Sequence, residues 1–90
     1  MDQLLVKHLI IYSRPGCHLC NDMKAVVERV ITRTAPGTVS VTEIDISTDQ
    51  ALEQTFGQEI PVLLIDGRKA AKYRITETEL TRRLLTSPSQ

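Results

Sequence analysis

The sequence contains two cysteines, Cys17 and Cys20, and only two residues separate them. A disulfide between them would close a loop too small to restrict much of the unfolded chain, so it would add little stability. Two thiols at this spacing can instead interconvert between a dithiol and a disulfide, which is a redox reaction. We therefore interpret the pair as chemically active rather than structural.

The apolar pattern of the chain changes at the cysteines. A nearly continuous apolar run over 6–12 ends before a Ser-Arg-Pro-Gly stretch and predicts a short buried strand. From Leu19 onward apolar residues recur at helical spacing, so a helix is predicted up to about Thr34. Cys17 then lies at the amino end of this helix, where backbone N–H groups and the helix dipole stabilise a thiolate. In comparable motifs the thiol pKa falls to roughly 3.5–7.5 from about 8.5.

The same helix gives the two thiols different environments. Cys20 lies one turn further in, between Leu19 and Met23, and is expected to be less exposed. Cys17 is therefore predicted to be the nucleophile that attacks a disulfide, and Cys20 the resolving cysteine. For His18 two interpretations remain: it is a solvated residue of the first turn, or its imidazolium lowers the pKa of Cys17.

The middle of the chain predicts a second strand and a short helix. Alternating apolar residues indicate a strand over 39–46, although Glu43 interrupts the alternation. Ser47 and Gln50 have the spacing of a capping box, which predicts a short helix that ends at Gly57. Because a helix joins the first two strands, these strands should be parallel with a right-handed crossover.

The last third of the chain predicts a hairpin and a final helix. A buried strand over 62–65 precedes an Asp-Gly pair at 66–67, a strong hairpin signal, and a return strand over 68–73. Thr76 and Glu79 form a second capping box, so the final helix should run from there to about residue 85. Its inward-facing residues are predicted to be Leu80, Leu84 and Leu85.

The predicted order is β-α-β-α-β-β-α, an α/β fold with a four-stranded mixed sheet and three helices. A chain of 90 residues is long enough for one domain, so we predict a single domain over 1–90 whose residues 86–90 form a frayed tail. Hydrophobic residues make up 41% and charged residues 24%, which excludes wholesale disorder.

Three motifs of this sequence occur together in a known family. The run Tyr-Ser-Arg-Pro-Gly-Cys-His-Leu-Cys at 12–20, Ile-Pro-Val at 60–62 and Asp-Gly at 66–67 resemble the glutaredoxin branch of the thioredoxin-like superfamily. The sequence most resembles the small bacterial glutaredoxin-like proteins, over about residues 8–85. This resemblance implies a thioredoxin-like fold and the activity of a thiol–disulfide oxidoreductase.

The resemblance also implies roles for residues outside the cysteine pair. Pro61 would be a cis-proline that faces the nucleophilic cysteine, and the backbone of Ile60 would pair with an extended substrate. Arg14 matches a basic residue that many glutaredoxins have three positions before that cysteine. It would stabilise the Cys17 thiolate and bind a substrate carboxylate. The candidate substrate-binding residues are therefore Arg14, His18, Ile60 and Pro61.

The sequence departs from the family where glutathione is usually anchored. Glutaredoxins have a Gly-Gly pair after the hairpin and then an Asp at the start of the last helix. Residues 72–77 here read Lys-Tyr-Arg-Ile-Thr-Glu, and Glu77 would repel a carboxylate. Glutathione is thus a possible co-substrate that lacks its usual anchor. The exchange requires no metal and no organic cofactor.

Other interpretations of the cysteine pair remain open at this point. One alternative is that the two thiols are unreactive packed residues. Another is that they belong to a zinc site, which needs four ligands; the two remaining ligands would then have to be His8 and His18. A c-type haem site is excluded because Asn21, not histidine, follows Cys20. At the level of function, the alternatives are a non-catalytic binding module with this fold and an iron–sulfur cluster carrier.

Charge and composition limit the classes of partner. Lys+Arg and Asp+Glu number 11 each, and the resulting zero net charge disfavours nucleic-acid binding. No stretch approaches the roughly 18 apolar residues of a membrane span, and the acidic Asp2 disfavours a secretory signal. We expect a cytoplasmic monomer. Its expected partners are a disulfide-containing protein or small thiol, and a reductant, either glutathione or a thioredoxin-reductase-type system.

Overall fold

The computed structural model describes residues 7–85, and within them the predicted elements follow one another in the predicted order. The strands are β1 (Lys7–Ser13), β2 (Val39–Asp45), β3 (Val62–Ile65) and β4 (Arg68–Lys72). The helices are α1 (His18–Ile31), α2 (Gln50–Phe56) and α3 (Glu77–Leu85), and a 3-10 turn over Ile46–Thr48 precedes α2. The predicted tail at 86–90 and the amino-terminal residues considered as a signal lie outside the described residues. Across residues 7–85, every helix is too short or too polar to cross a membrane.

The four strands form one mixed sheet in the order β2-β1-β3-β4. As predicted, β1 and β2 are parallel, whereas β3 is antiparallel to both β1 and β4. Tyr12 pairs with Val62 across β1 and β3, so the carboxyl end of β1 meets the amino end of β3. The segment that leads into α1 and the Ile60–Pro61 segment therefore leave the sheet at the same edge.

The predicted Asp-Gly hairpin is confirmed by its backbone angles. Asp66 has φ 51° and Gly67 has φ 85°, and a two-residue turn that matches the twist of the strands requires positive φ at both positions. Asp66 also accepts a 2.9 Å hydrogen bond from the amide of His8 through its side chain. The turn is thus fixed to the start of β1 as well as to its own two strands.

The core lies between the sheet and the helices α1 and α3. It consists of buried aliphatic residues and one methionine: Leu9, Ile11, Met23, Val27, Val30, Leu63, Ile75 and Leu80. Leu80 faces this core as predicted, but the prediction for Leu85 was wrong, because its side chain is 81% exposed. Leu85 follows Leu80 by five residues, which turns it about 140° around the helix and away from the core.

The cap of α2 differs from the prediction. Asp49, not Ser47, is the capping residue, and its side chain accepts hydrogen bonds from the amides of Ala51 at 2.9 Å and Leu52 at 3.2 Å. Ser47 lies in the 3-10 turn, where its amide and hydroxyl both donate to the carboxylate of Asp45. The extra turn moves the start of α2 beyond Ser47. The predicted cap of α3 is confirmed, since Thr76 accepts a 3.1 Å hydrogen bond from the amide of Glu79.

Candidate functional site

Cys17 lies where β1 ends and α1 begins. It is the capping residue of α1, with extended backbone angles (φ −88°, ψ 113°), and its sulfur accepts a 3.1 Å hydrogen bond from the amide of Cys20. The amide of Cys17 donates to the carbonyl of Arg14 at 3.2 Å, which closes a turn through Gly16 at φ +78°. Glycine adopts this angle without a steric penalty. The turn and the helix end together present the sulfur to the amide of Cys20, which is one of the N–H groups that the sequence analysis expected there.

Cys17 and Cys20 are joined by a disulfide, with their Cα atoms 5.2 Å apart. Cys20 is only 1% exposed, whereas Cys17 is half-buried. The predicted difference in exposure is therefore confirmed. A reagent or substrate can reach the outer sulfur, of Cys17, more readily than the inner one. The assignment of nucleophile and resolving cysteine remains a prediction that this difference supports.

The segment before β3 lies at the same edge of the sheet as the disulfide. The Ile60–Pro61 peptide bond is cis, which agrees with the geometry implied by the family resemblance. Pro61 is fully buried and Ile60 is half-buried. The carbonyl of Pro61 accepts a 2.8 Å hydrogen bond from the amide of Tyr73. The end of β4 therefore holds this segment in place.

Tyr73 is a positioning residue that sequence reasoning missed. Its backbone has φ 71°, which is uncommon for a residue other than glycine. Its hydroxyl donates to the carbonyl of Gln58 at 3.0 Å, and the Lys72 ammonium lies 5.5 Å from its ring centre. Tyr73 thus contacts the chain on both sides of Ile60. The sequence signal for this role was the absence of the Gly-Gly pair that glutaredoxins have after the hairpin. In this chain a non-glycine residue, Tyr73, takes the left-handed conformation there.

Arg14 points toward α2 rather than into open solvent. Its Nε and Nη2 atoms donate to the two carboxylate oxygens of Glu53 at 3.1 and 2.6 Å, and Nη2 also lies 3.4 Å from the carbonyl oxygen of Gly57. A β-carbon at Gly57 would clash with the Glu53 carbonyl oxygen and lie 3.4 Å from Arg14 Nη2. The arginine is therefore seated at the end of α2. Its predicted effect on the Cys17 thiolate remains a prediction.

His18 is directed into solvent. Its side chain is 89% exposed, and Nε2 lies 3.8 Å from a carboxylate oxygen of Asp22, one helical turn further on. Of the two interpretations left open by the sequence, this position fits the solvated residue. An influence of the imidazolium on Cys17 remains a prediction for the protonated state.

A polar contact behind the cysteine turn was also missed by the sequence analysis. Ser13 is 2% exposed, and its hydroxyl donates a 2.7 Å hydrogen bond to Glu43 on β2. Lys24 on α1 donates to the same carboxylate oxygen at 3.0 Å. The hydrogen bond from Ser13 has the larger effect and that from Lys24 the next, and both lower the pKa of Glu43. The sequence signal for this contact was Glu43 itself, which interrupts the alternation of apolar residues along β2.

A cleft of about 270 Å³ runs beside the cysteines, between α1 and the β4–α3 connection. Its apolar wall is formed by Leu19, Met23, Val26 and Ile75, and its polar rim by Asp22, Tyr73, Arg74 and Thr76. The wall begins at Leu19, which lies between the two cysteines. The rim of the cleft carries one charge of each sign, from Asp22 and Arg74.

Glu77, which was expected to repel a carboxylate, is bound within the chain. Arg29 donates to it at 2.6 Å and Arg33 donates to its other oxygen, so the pair joins α3 to α1. The hydrogen bonds from Arg33 and Arg29 lower the pKa of Glu77. Its charge is therefore largely balanced. Within residues 7–85, no three His, Cys, Asp or Glu side chains cluster as metal ligands would.

Comparison with known proteins agrees with this geometry. The model of the family described as "Glutaredoxin-like domain (DUF836)" matches residues 8–85, so the chain belongs to this glutaredoxin-like family. The chain is 29% identical over 72 residues to the "Glutaredoxin-like protein YDR286C homolog" of Dictyostelium discoideum. The aligned segment covers 77% of this chain and 67% of that protein. The sequence resemblance to glutaredoxin-like proteins is therefore confirmed.

Solved structures identify the fold as thioredoxin-like. The X-ray structure of the protein XcR50 from X. campestris has a TM-score of 0.71 and 27% identity, and the match covers 89% of this chain and 99% of that one. Chloroplastic thioredoxin z has a TM-score of 0.72 at 15% identity, with 90% of this chain and 77% of that chain covered. At this identity the second likeness concerns the fold alone. The predicted α/β, thioredoxin-like architecture is confirmed.

Proposed function

We propose that this member of the glutaredoxin-like family is a thiol–disulfide oxidoreductase whose redox centre is the Cys17–Cys20 pair. The observation that carries the proposal is the unequal position of the two sulfurs, since half-buried Cys17 begins α1 and Cys20 behind it is 1% exposed. A thiolate at a helix end reacts readily with disulfides, and a neighbouring thiol can complete the exchange. The Cys17–Cys20 disulfide is the oxidised product of that exchange.

The proposed reaction begins with attack of the Cys17 thiolate on one sulfur of a substrate disulfide. A bond forms between Cys17 and that sulfur, and the other substrate sulfur leaves as a thiolate that takes up a proton. Cys20, once deprotonated, then attacks the Cys17 sulfur, forms the intramolecular disulfide and releases the second substrate thiol. Two electrons pass from the protein to the substrate, and a thiol reductant must return them. The direction depends on the potentials of both couples.

Two features beside the cysteines favour an extended substrate. The half-buried Ile60 and then Pro61 lie immediately before β3. A substrate backbone that lies beside Ile60 would add hydrogen bonds to the end of the sheet. The apolar cleft that begins at Leu19 would accept side chains next to the substrate cysteine. The exposed His18 would contact the substrate from the solvent side.

The proposal implies partners and a compartment. The partners are a disulfide-containing protein or a small disulfide, and a reductant that is either glutathione or a thioredoxin-reductase-type system. Exchange between sulfur atoms needs no metal or organic cofactor. We propose a monomer that acts in the cytoplasm, where the thiol pool maintains such a dithiol in its reduced state.

The first test is the rate of alkylation of the reduced protein against pH, measured by mass spectrometry at each cysteine. Cys17 should react at least tenfold faster than Cys20, with an apparent pKa at least one unit below about 8.5. A Cys17 that titrates as an ordinary thiol would contradict the proposal and favour a non-catalytic binding module. Visible absorbance after anaerobic purification would instead support an iron–sulfur carrier.

A further inference from the structure

We propose that Glu53 is a specificity-determining residue of this site. By neutralising Arg14, it makes Cys17 select disulfides that carry no carboxylate near the reacting sulfur. The inference rests on the proposed oxidoreductase function and narrows its substrate class. Among small disulfides, an uncharged one should be favoured over one with carboxylates such as oxidised glutathione. Among proteins, cysteines without a neighbouring acidic residue should be favoured.

The position of Arg14 makes its charge relevant to the reaction. Its carbonyl accepts the hydrogen bond from the Cys17 amide at 3.2 Å, so the two residues are the ends of a single turn. A free guanidinium there would attract a carboxylate on the incoming disulfide, because arginine binds carboxylates through two parallel hydrogen bonds. Such a cation would also raise the local concentration of anionic substrates.

Glu53 already binds Arg14 through two hydrogen bonds of this kind. Its two oxygens accept from Nε and Nη2 of Arg14 at 3.1 and 2.6 Å, which is the two-point geometry a substrate carboxylate would need. The third contact of Arg14 is the carbonyl of Gly57, just beyond the end of α2, where the helix dipole is negative. A substrate carboxylate would have to displace an internal carboxylate that already balances the positive charge of Arg14.

The surrounding packing holds Glu53 in this position. The rings of Tyr12 and Phe56 stack with their centres 4.5 Å apart, which fixes α2 against the end of β1. Gly57 leaves the space that the Glu53 backbone and the Arg14 guanidinium occupy. The pair is therefore preorganised by contacts on both sides. This arrangement disfavours a rearrangement that would release Arg14 for a substrate.

Several other charges near the cysteines also have partners of opposite sign or lie beside one. His18 faces Asp22, and Asp22 shares the rim of the cleft with Arg74. The first turn of α3 carries Glu77, which Arg29 and Arg33 bind. An incoming carboxylate thus meets an Arg14 whose charge is already balanced, and Arg74 on the cleft rim is a separate cation that Glu53 does not contact.

The experiment compares two disulfides as oxidants of the reduced protein. Oxidised glutathione carries carboxylates, whereas hydroxyethyl disulfide is uncharged, and the readout is the ratio of their second-order rate constants with Cys17. Glu53→Gln keeps one of the two hydrogen-bond acceptors toward Arg14 and removes the negative charge. We expect this variant to raise the ratio about twofold to fivefold at low ionic strength, the size that one half-exposed ion pair permits. The gain should shrink with added salt.

Two further variants separate this effect from a general change in charge. Glu79→Gln makes the same charge change at a carboxylate of nearly equal exposure, 34% against 35% for Glu53, and its partners lie near the end of α3. It should leave the ratio unchanged. In an Arg14→Gln background, Glu53→Gln should also have no effect, because the cation it releases is absent.

Each outcome decides the question. An unchanged ratio in Glu53→Gln, or an equal rise in Glu79→Gln, overturns the inference and leaves the oxidoreductase proposal intact if both disulfides oxidise Cys17. Failure of both disulfides to oxidise the wild-type protein overturns the proposed function and the inference together. If Glu53→Gln does not fold, the wild type provides the test. Its ratio should vary little with salt, and a steep fall with rising salt would show an uncompensated cation and contradict the inference.

Discussion

The buried hydroxyl of Ser13 donates a 2.7 Å hydrogen bond to Glu43 across the parallel strands β1 and β2. Ser13 is the last residue of β1, and the turn that carries Cys17 follows it directly. Because Lys24 of α1 binds the same carboxylate, Glu43 connects the strand before the site to the helix after it. This contact therefore fixes the two ends of the cysteine turn relative to each other.

Ser13→Ala should lower the free energy of unfolding by about 1 kcal/mol, because a buried serine loses its hydrogen bond to a charged group. Half-exposed Glu43 regains water, which limits the loss. Urea unfolding at neutral pH provides the measurement. Ser40→Ala is the matched control, since it removes a 2.9 Å hydrogen bond to His8 on the exposed edge of the same strand pair. The control should change stability by less than about 0.5 kcal/mol, and an equal loss in both variants would contradict the prediction.

The same contact should make stability depend on pH in a defined direction. Hydrogen bonds from Ser13 and Lys24 hold the pKa of Glu43 below its usual 4.5 in the folded protein. A lowered carboxyl pKa contributes stability above the unfolded-state value and loses it as the pH falls through the folded-state value. The difference between wild type and Ser13→Ala should therefore be constant from neutral pH to about pH 5 and shrink below it. Urea titrations over this range check it, and an unchanged difference in acid would count against it.

The two leucines of α3 should respond very differently to truncation. Leu80 is 0% exposed and Leu85 is 81% exposed, although both were expected to face the core. Leu80→Ala should cost about 2–5 kcal/mol, because it leaves a cavity between α3, α1 and the sheet. Leu85→Ala should change stability by less than about 0.5 kcal/mol. Chemical unfolding of both variants provides the comparison, and similar losses would show that Leu85 packs against the core.

Gly57→Ala should destabilise the protein by about 1–3 kcal/mol, because the added methyl group would force the end of α2 to move. The methyl would clash with the Glu53 carbonyl oxygen and touch Arg14, so the ion pair between these residues should weaken as well. Thermal unfolding measures the loss. Gln58→Ala, at the exposed neighbouring position, serves as control. Equal melting temperatures for wild type and Gly57→Ala would refute the predicted clash.

Replacement of each cysteine by serine should separate the two proposed roles. Reduced Cys20→Ser retains the outer thiol but lacks the resolving one, so a single reaction with a disulfide should stop at the mixed disulfide on Cys17. Mass spectrometry of the intact protein would detect the added thiol. Cys17→Ser should form at least tenfold less adduct, because the remaining thiol is 1% exposed in the folded protein. Comparable adducts on both variants would remove the distinction between nucleophile and resolving cysteine.

The sequence predicted those features of the fold that depend on neighbouring residues. The change from a strand pattern to a helix pattern located Cys17 at the start of α1, and the Asp-Gly pair predicted the hairpin. Where two local signals compete, the outcome was not predictable. Both Ser47 and Asp49 are good capping residues, and the 3-10 turn that separates Ser47 from the helix begins at Ile46, which is buried in the protein interior.

The contacts that complete the site lie beyond such local rules. Arg14 and Glu53 are 39 residues apart, and Ser13 and Glu43 are 30 apart. Their meeting depends on strand register and on the placement of α2, neither of which a single sequence specifies. The family resemblance implied that the guanidinium of Arg14 would bind a substrate carboxylate. It did not indicate that an internal carboxylate would bind the same guanidinium.

The strand order β2-β1-β3-β4 places β1 and β3 at the centre of the sheet, and both candidate site segments adjoin these two strands. The edge strands can open and exchange their amide hydrogens with solvent without breaking the β1–β3 ladder. We therefore expect local opening of β2 or β4 to leave the β1–β3 ladder intact, although it would break the contacts that Glu43 makes with Ser13 and that Tyr73 makes with Pro61. Motions at the periphery of the sheet would loosen these two supports of the site, whereas the pairing of β1 with β3 would be lost only when the whole domain unfolds.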